Sequence, residues 1–188
     1  GLGGWTTFGG TVTDTALVRD ILTAAFDAGI TFFDIADAYA KGEAERVMGA
    51  TLRELPRHRL VISSKLYWPM SDDPSDRGLS RKHIRESIEA SLRRIGTDYL
   101  DIYFCHRYDA ETPLEETVRA MDDLVRQGKI LYWGTSEWSG AQLREAHAIS
   151  DRRNCAAPQV EQPQYHLIER ARVEAEVRPT AEMLGMGL

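Results

Sequence analysis

The chain has 188 residues, 43% hydrophobic and 28% charged, which is long enough to enclose a core and too apolar to be disordered. Its net charge of −6 excludes a basic footprint for nucleic acid or an anionic membrane and points to small molecules as partners. No apolar run approaches the roughly 18 residues of a membrane span and nothing reads as a signal peptide, so a cytoplasmic setting is expected. The two cysteines, Cys105 and Cys155, are too few for a disulfide framework.

Gly1 to Gly4 read as the remnant of a first strand. Leu17, Ile21, Ala25 and Ala28 recur at near-helical spacing and predict a helix closed by Gly29. Ile30-Thr31-Phe32-Phe33 then predicts a strand near 31–34 ending on Asp34, and Leu60-Val61-Ile62-Ser63-Ser64 a strand ending on Lys65. Ile84, Ile88, Leu92 and Ile95 mark a helix closed by Gly96, and a strand over 99–105 runs into His106. Thr112, Pro113 and Glu115 read as N-cap, first-turn proline and capping-box acid of a helix carried by Leu114, Val118, Met121 and Val125 and closed by Gly128. A strand over 130–136 ends on Ser136, and Ser139 with Gln142 forms a capping box for a helix through Ala146. A strand over 158–162 ends on Gln162, and a seventh is expected to start at Gly185.

Strict alternation with short connections implies right-handed crossovers and a parallel sheet. An open doubly wound sheet gathers its site at one switch point, whereas polar ends on consecutive strands suit a closed ring. The predicted fold is an α/β (β/α)8 TIM barrel, incomplete in this chain, which holds strands one to six and the start of strand seven. Residues 1–188 are therefore expected to form a single barrel domain truncated at both ends, about 250 residues being typical of the complete fold.

Polar strand ends are where such folds place catalytic groups. Asp34 and Tyr39 lie five positions apart, so a strand end and its following loop can aim both at one cavity. A lysine beside a tyrosine favours the phenolate, so Lys65 is expected to lower the pKa of Tyr39 and make it a usable acid. The buried ammonium needs a partner, which Asp34 can supply, and His106 can bond the phenol or a substrate oxygen. Any one of these residues alone would read as a structural ion pair or a core side chain; four together at strand ends favour chemistry.

Other chemistries fit poorly. Thr6 stands where a dinucleotide fingerprint needs its third glycine, no phosphate loop occurs, and Trp138 stands where a nucleophile elbow needs glycine. Cys105 and His106 are adjacent in a strand and face opposite sides, and no metal spacing links His58, His83, His147 and His166, so no metal site is expected. Trp5, Tyr67, Trp68, Tyr108 and Trp138 gather near the same strand ends, either as packing at the barrel mouth or as walls of a substrate pocket.

Gly1-Leu2-Gly3-Gly4-Trp5 followed by Phe8-Gly9-Gly10, then Phe33-Asp34-Ile35-Ala36-Asp37-Ala38-Tyr39, Ser64-Lys65 and Cys105-His106-Arg107, resemble the successive signatures of the aldo-keto reductase family along all 188 positions. Within it, the stretches Arg77 to Ile84, Thr112 to Met121 and Tyr132 to Ser136 resemble the branch that contains the beta subunits of voltage-gated potassium channels and their bacterial relatives. The resemblance implies an NADP(H)-dependent oxidoreductase of the alcohol dehydrogenase type, reducing aldehydes or ketones. It makes Tyr39 the general acid, Lys65 its partner, Asp34 the counter-ion and His106 the group orienting the carbonyl. It also implies cofactor contacts from Ser136 and Gln162, with Glu137 alongside, and from Gly4, Trp5, Thr11 and Asp34. Glu137 departs from the Asn or Arg common there. The choice of NADP over NAD rests on the resemblance alone, and a homo-oligomer is compatible with it. The competing expectation is a cofactor-binding regulatory or redox-sensing module of the channel-subunit kind with little turnover. Channel subunits tend to carry Asn where this chain has His106.

Overall fold

The computed structural model describes all 188 residues. Its strands are β1 (Leu2–Gly3), β2 (Phe32–Asp34), β3 (Val61–Leu66), β4 (Leu100–Cys105), β5 (Ile130–Ser136) and β6 (Val160–Gln162). They form one parallel sheet in chain order, with no reversal of direction and so no switch point. Between them and after the last lie α1 (Thr15–Asp27), α2 (Glu43–Leu52), α3 (Arg81–Ile95), α4 (Leu114–Arg126), α5 (Gly140–Arg153) and α6 (Arg178–Leu184), the last entered through a π-turn over Val173–Val177. Six parallel strands with helices packed on one side form the half-barrel of a (β/α)8 fold. No helix is long and apolar enough to cross a membrane.

The register decides which residues can form a site. Side chains alternate between faces along each strand, and Asp34 pairs with Ser63, Lys65 with Phe104, Phe104 with Gly134, and Ser136 with Gln162. Asp34, Lys65, Ser136 and Gln162 therefore share one face. The opposite face carries Phe33, Ile62, Leu66, Tyr103, Cys105 and Trp133, all buried, against the helices. Gly134 allows the strands to close on the site face, since a Cβ there would lie 2.6 Å from both the Val160 Cγ1 and its carbonyl oxygen.

Local signals hold in most places. Ser139 and Gln142 form both bonds of the capping box, and Gly29, Gly96 and Gly128 have positive φ at helix ends. Two expectations are corrected. Pro113, not Thr112, is the N-cap of α4; the Thr112 hydroxyl is taken up instead by the loop carboxylate of Asp109, donating to its Oδ2 at 2.8 Å. Gly185 is the C-cap of α6, and pairing towards a seventh strand starts at Gly187, which bridges Val160 and accepts from the Glu161 amide at 3.0 Å.

Candidate active site

Lys65 is the centre of the site. Its side chain is 1% exposed, and Nζ donates to Asp34 Oδ2 at 2.6 Å, to the Ile35 carbonyl at 2.8 Å and to the Tyr39 hydroxyl at 3.3 Å. Ser63, opposite Asp34 in the register, donates to its other oxygen at 2.5 Å. Tyr39 comes from the loop after β2, where Ala40 and Lys41 sit in the left-handed region at φ 48° and 51° before Gly42 at φ 86°. Each non-glycine residue held there costs about 1 to 2 kcal/mol, so the surrounding structure fixes this turn and the tyrosine it carries.

The electrostatics differ from the expected pattern at one residue. Burial, reinforced by the Asp34 charge, drives the Tyr39 phenol above its ordinary range rather than below it. At 2.6 Å Asp34 neutralises Lys65, so the phenol faces an ion pair instead of a lone cation. Burial also pulls Lys65 down against the opposing pull of Asp34. His106 is pushed down to about 3, first by burial and then by the Lys65 and Arg107 charges. It is a neutral imidazole near neutrality, able to donate from one nitrogen, and its buried Nδ1 has no hydrogen-bond partner. Its ring meets Tyr39 edge-on, with centroids 5.8 Å apart.

Trp5, Tyr39, Trp68, His106, Ser136, Glu137 and Gln162 line one cavity of about 820 Å³. Ser136 Oγ donates to the Gln162 carbonyl at 2.9 Å, leaving the hydroxyl oxygen free to accept. Gln162 Nε2 reaches Asp34 Oδ2 at 3.4 Å, which leaves the amide oxygen and one N–H for a ligand amide. Glu137 is at φ 62°, paired to Arg172 at 2.6 Å and accepting from the Gln164 amide.

Other expected residues fall elsewhere. Gly4 is buried, and a Cβ there would meet Met48 Sδ at 2.9 Å; it donates to the Asp34 carbonyl and serves the sheet. Thr11 turns its hydroxyl onto the Thr6 carbonyl at 2.9 Å. Trp138 is fully buried with Tyr108 packed edge-on at 5.0 Å, and Tyr67 packs edge-on against Trp68 at 5.2 Å; these three do not line the cavity. Trp5 and Trp68 do line it, though they are 70% and 40% exposed.

Two buried acids carry no signature of their own in the sequence. Glu161 accepts from Thr135 Oγ1 at 2.5 Å and from the Trp138 amide at 3.1 Å, fixing the turn that carries Glu137, and burial pushes it up to about 7. A charged residue inside a short strand, between Val160 and Gln162, is the signal that could have found it. Asp37 accepts from Ser87 Oγ at 3.1 Å, Ser87 in turn accepts from the Tyr103 hydroxyl at 2.9 Å, and Asp37 Oδ1 has no partner. Burial, then the Glu45 charge, pushes Asp37 up to about 7.

Folded Asp37 keeps a proton that the unfolded chain releases above its ordinary pKa of 3.8, so its contribution to stability falls as pH rises from there to about 7. Asp37→Asn removes that loss. Relative to the wild type, the variant should be up to about 3 kcal/mol more stable at pH 8.5 than at pH 5, measured by urea unfolding at both. An identical difference at the two pH values would show that Asp37 does not titrate in this window.

The model of the "Aldo/keto reductase family" matches residues 1–188. Two curated relatives, from Oryza sativa subsp. japonica and Arabidopsis thaliana, are each 47% identical over 188 residues and each carries the name "Probable voltage-gated potassium channel subunit beta". The match covers 99% of this chain but 57% of each relative, so the chain spans less than two thirds of their length. A solved structure, an aldo-keto reductase from Klebsiella pneumoniae in complex with NADPH, superposes with a TM-score of 0.84 at 34% identity, over 99% of this chain and 60% of that one.

Proposed function

This chain belongs to the aldo/keto reductase family, and from that premise we propose that it forms part of one barrel domain of an NADP(H)-dependent oxidoreductase that reduces aldehydes or ketones to alcohols. The observation that carries this is the convergence of Asp34, Tyr39, Lys65 and His106, with Tyr39 and His106 on the wall of a cavity that Ser136 and Gln162 also reach.

The donor set suits a nicotinamide: the Gln162 amide and Ser136 hydroxyl keep free positions that match a carboxamide. Bound NADPH would supply hydride to the carbonyl carbon. Tyr39 gives its hydroxyl proton to the carbonyl oxygen, so the alcohol leaves with one hydride and one proton added. The raised phenol pKa keeps that proton in place until the carbonyl oxygen becomes basic. Lys65, 3.3 Å away, stabilises the phenolate left behind, and Asp34 holds Lys65 in position. Neutral His106 orients the carbonyl by donating from one ring nitrogen.

The names of the plant relatives support a second reading, a cofactor-binding regulatory module with little turnover. His106 favours turnover. The deciding experiment is NADPH consumption by the full-length protein with a reactive aldehyde. Alcohol is expected to form in step with oxidised cofactor, and NADPH is expected to bind at least about tenfold more tightly than NADH, on the scale of one charge-assisted contact to the extra phosphate. Tight cofactor binding with no alcohol formed would leave the module reading in place, and equal affinity for the two cofactors would overturn the NADP assignment.

A further inference from the structure

Arg107 follows His106 directly and lines the same cavity. Its guanidinium carbon lies 5.6 Å from the Trp68 ring centre, and one N–H donates to the His106 carbonyl. It makes no ion pair within the chain. The carboxylates nearest the site are already committed: Asp34 to Lys65 and Glu137 to Arg172, each at 2.6 Å. In a protein of net charge −6 the cavity wall thus carries one cation without a counter-ion. That cation sits beside the groups of the proposed reaction, adjacent to His106 in the chain and on the same cavity wall as Tyr39 and His106.

Building on the reductase reading, we propose that Arg107 anchors substrate and that the preferred substrates are aldehydes or ketones carrying a carboxylate. A guanidinium presents five N–H donors in a planar fork matched to a carboxylate, and one is used here. The charge count selects the class: one uncompensated positive charge matches a monoanion, while a phosphate dianion would need a second free cation. His106 is neutral and Lys65 is paired, so neither supplies one. The cation–π contact with Trp68 and the bond to the His106 carbonyl hold the fork in place before substrate arrives, which reduces the ordering cost of binding.

The test compares 4-carboxybenzaldehyde with its neutral methyl ester in the full-length protein at saturating NADPH, in wild type, Arg107→Met and Arg107→Lys. The readout is the ratio of kcat/KM for the two aldehydes within each protein, so a general loss of activity cancels. The ratio in Arg107→Met should fall by about tenfold to a hundredfold from the wild-type value, the range of a charge-assisted hydrogen bond, and Arg107→Lys should recover part of it. An unchanged ratio in Arg107→Met, with both aldehydes reduced, overturns the anchoring role and leaves the reductase reading standing. Weakened NADPH binding in Arg107→Met by fluorescence titration would assign the residue to the cofactor and overturn the proposal. Reduction of neither aldehyde by the wild type would remove the reductase reading and this inference with it.

Discussion

Tyr39→Phe is expected to cut carbonyl reduction by about 10²- to 10⁴-fold while NADPH still binds, the range that positioned general acids contribute. The substitution is a narrow one. Phenylalanine keeps the ring facing Trp5 and His106, and Lys65 keeps its bonds to Asp34 and the Ile35 carbonyl, so only the 3.3 Å contact and the transferable proton are lost. Single-turnover hydride transfer with saturating NADPH isolates the chemical step from product release. Unchanged transfer in the variant would remove Tyr39 as the acid and favour the regulatory-module reading.

Lys65→Met should damage both activity and stability. It strips the partner from a largely buried carboxylate and removes the cation proposed to stabilise the phenolate, and breaking one side of a buried pair typically costs about 3 to 5 kcal/mol. The two losses can be separated. Adding Asp34→Asn to Lys65→Met takes away the stranded charge, so the double variant should regain much of the stability measured by urea unfolding without regaining turnover. If the single variant is as stable as the wild type, Asp34 does not depend on Lys65. If the double variant turns over normally, Lys65 has no part in the chemistry.

Much of this architecture is legible in the chain because it is written in local pattern. Apolar runs ending in Asp34, Lys65, Ser136 and Gln162 give strand positions, and a period of two places those ends on one face once the register is known. The Ser139–Gln142 capping box is local and holds; the Thr112 cap fails because a carboxylate three positions earlier in the loop competes for the hydroxyl. What stays hidden depends on burial from outside the local segment. Proximity to Lys65 suggests a depressed Tyr39 pKa, but burial and the Asp34 ion pair reverse the direction. Aromatic clustering near strand ends cannot separate Trp68, on the cavity wall after β3, from Trp138, sealed in the core after β5. Asp37 looks like an ordinary loop acid until Tyr103 and Ser87, from other elements, are seen to enclose it.

The saturated lysine has a chemical consequence of its own. In the proposed reaction an amine would stand beside an aldehyde, and condensation to an imine would consume substrate and disable the site. Condensation needs a nitrogen lone pair. Lys65 makes three hydrogen bonds as donor, to a carboxylate, a carbonyl and a phenol oxygen, so all three N–H groups of the ammonium are engaged and no lone pair remains. With its side chain 1% exposed, it also offers no path of approach to an electrophile. The contacts that tie Lys65 to Asp34 and Tyr39 also make it inert towards the reactive carbonyls of the proposed reaction.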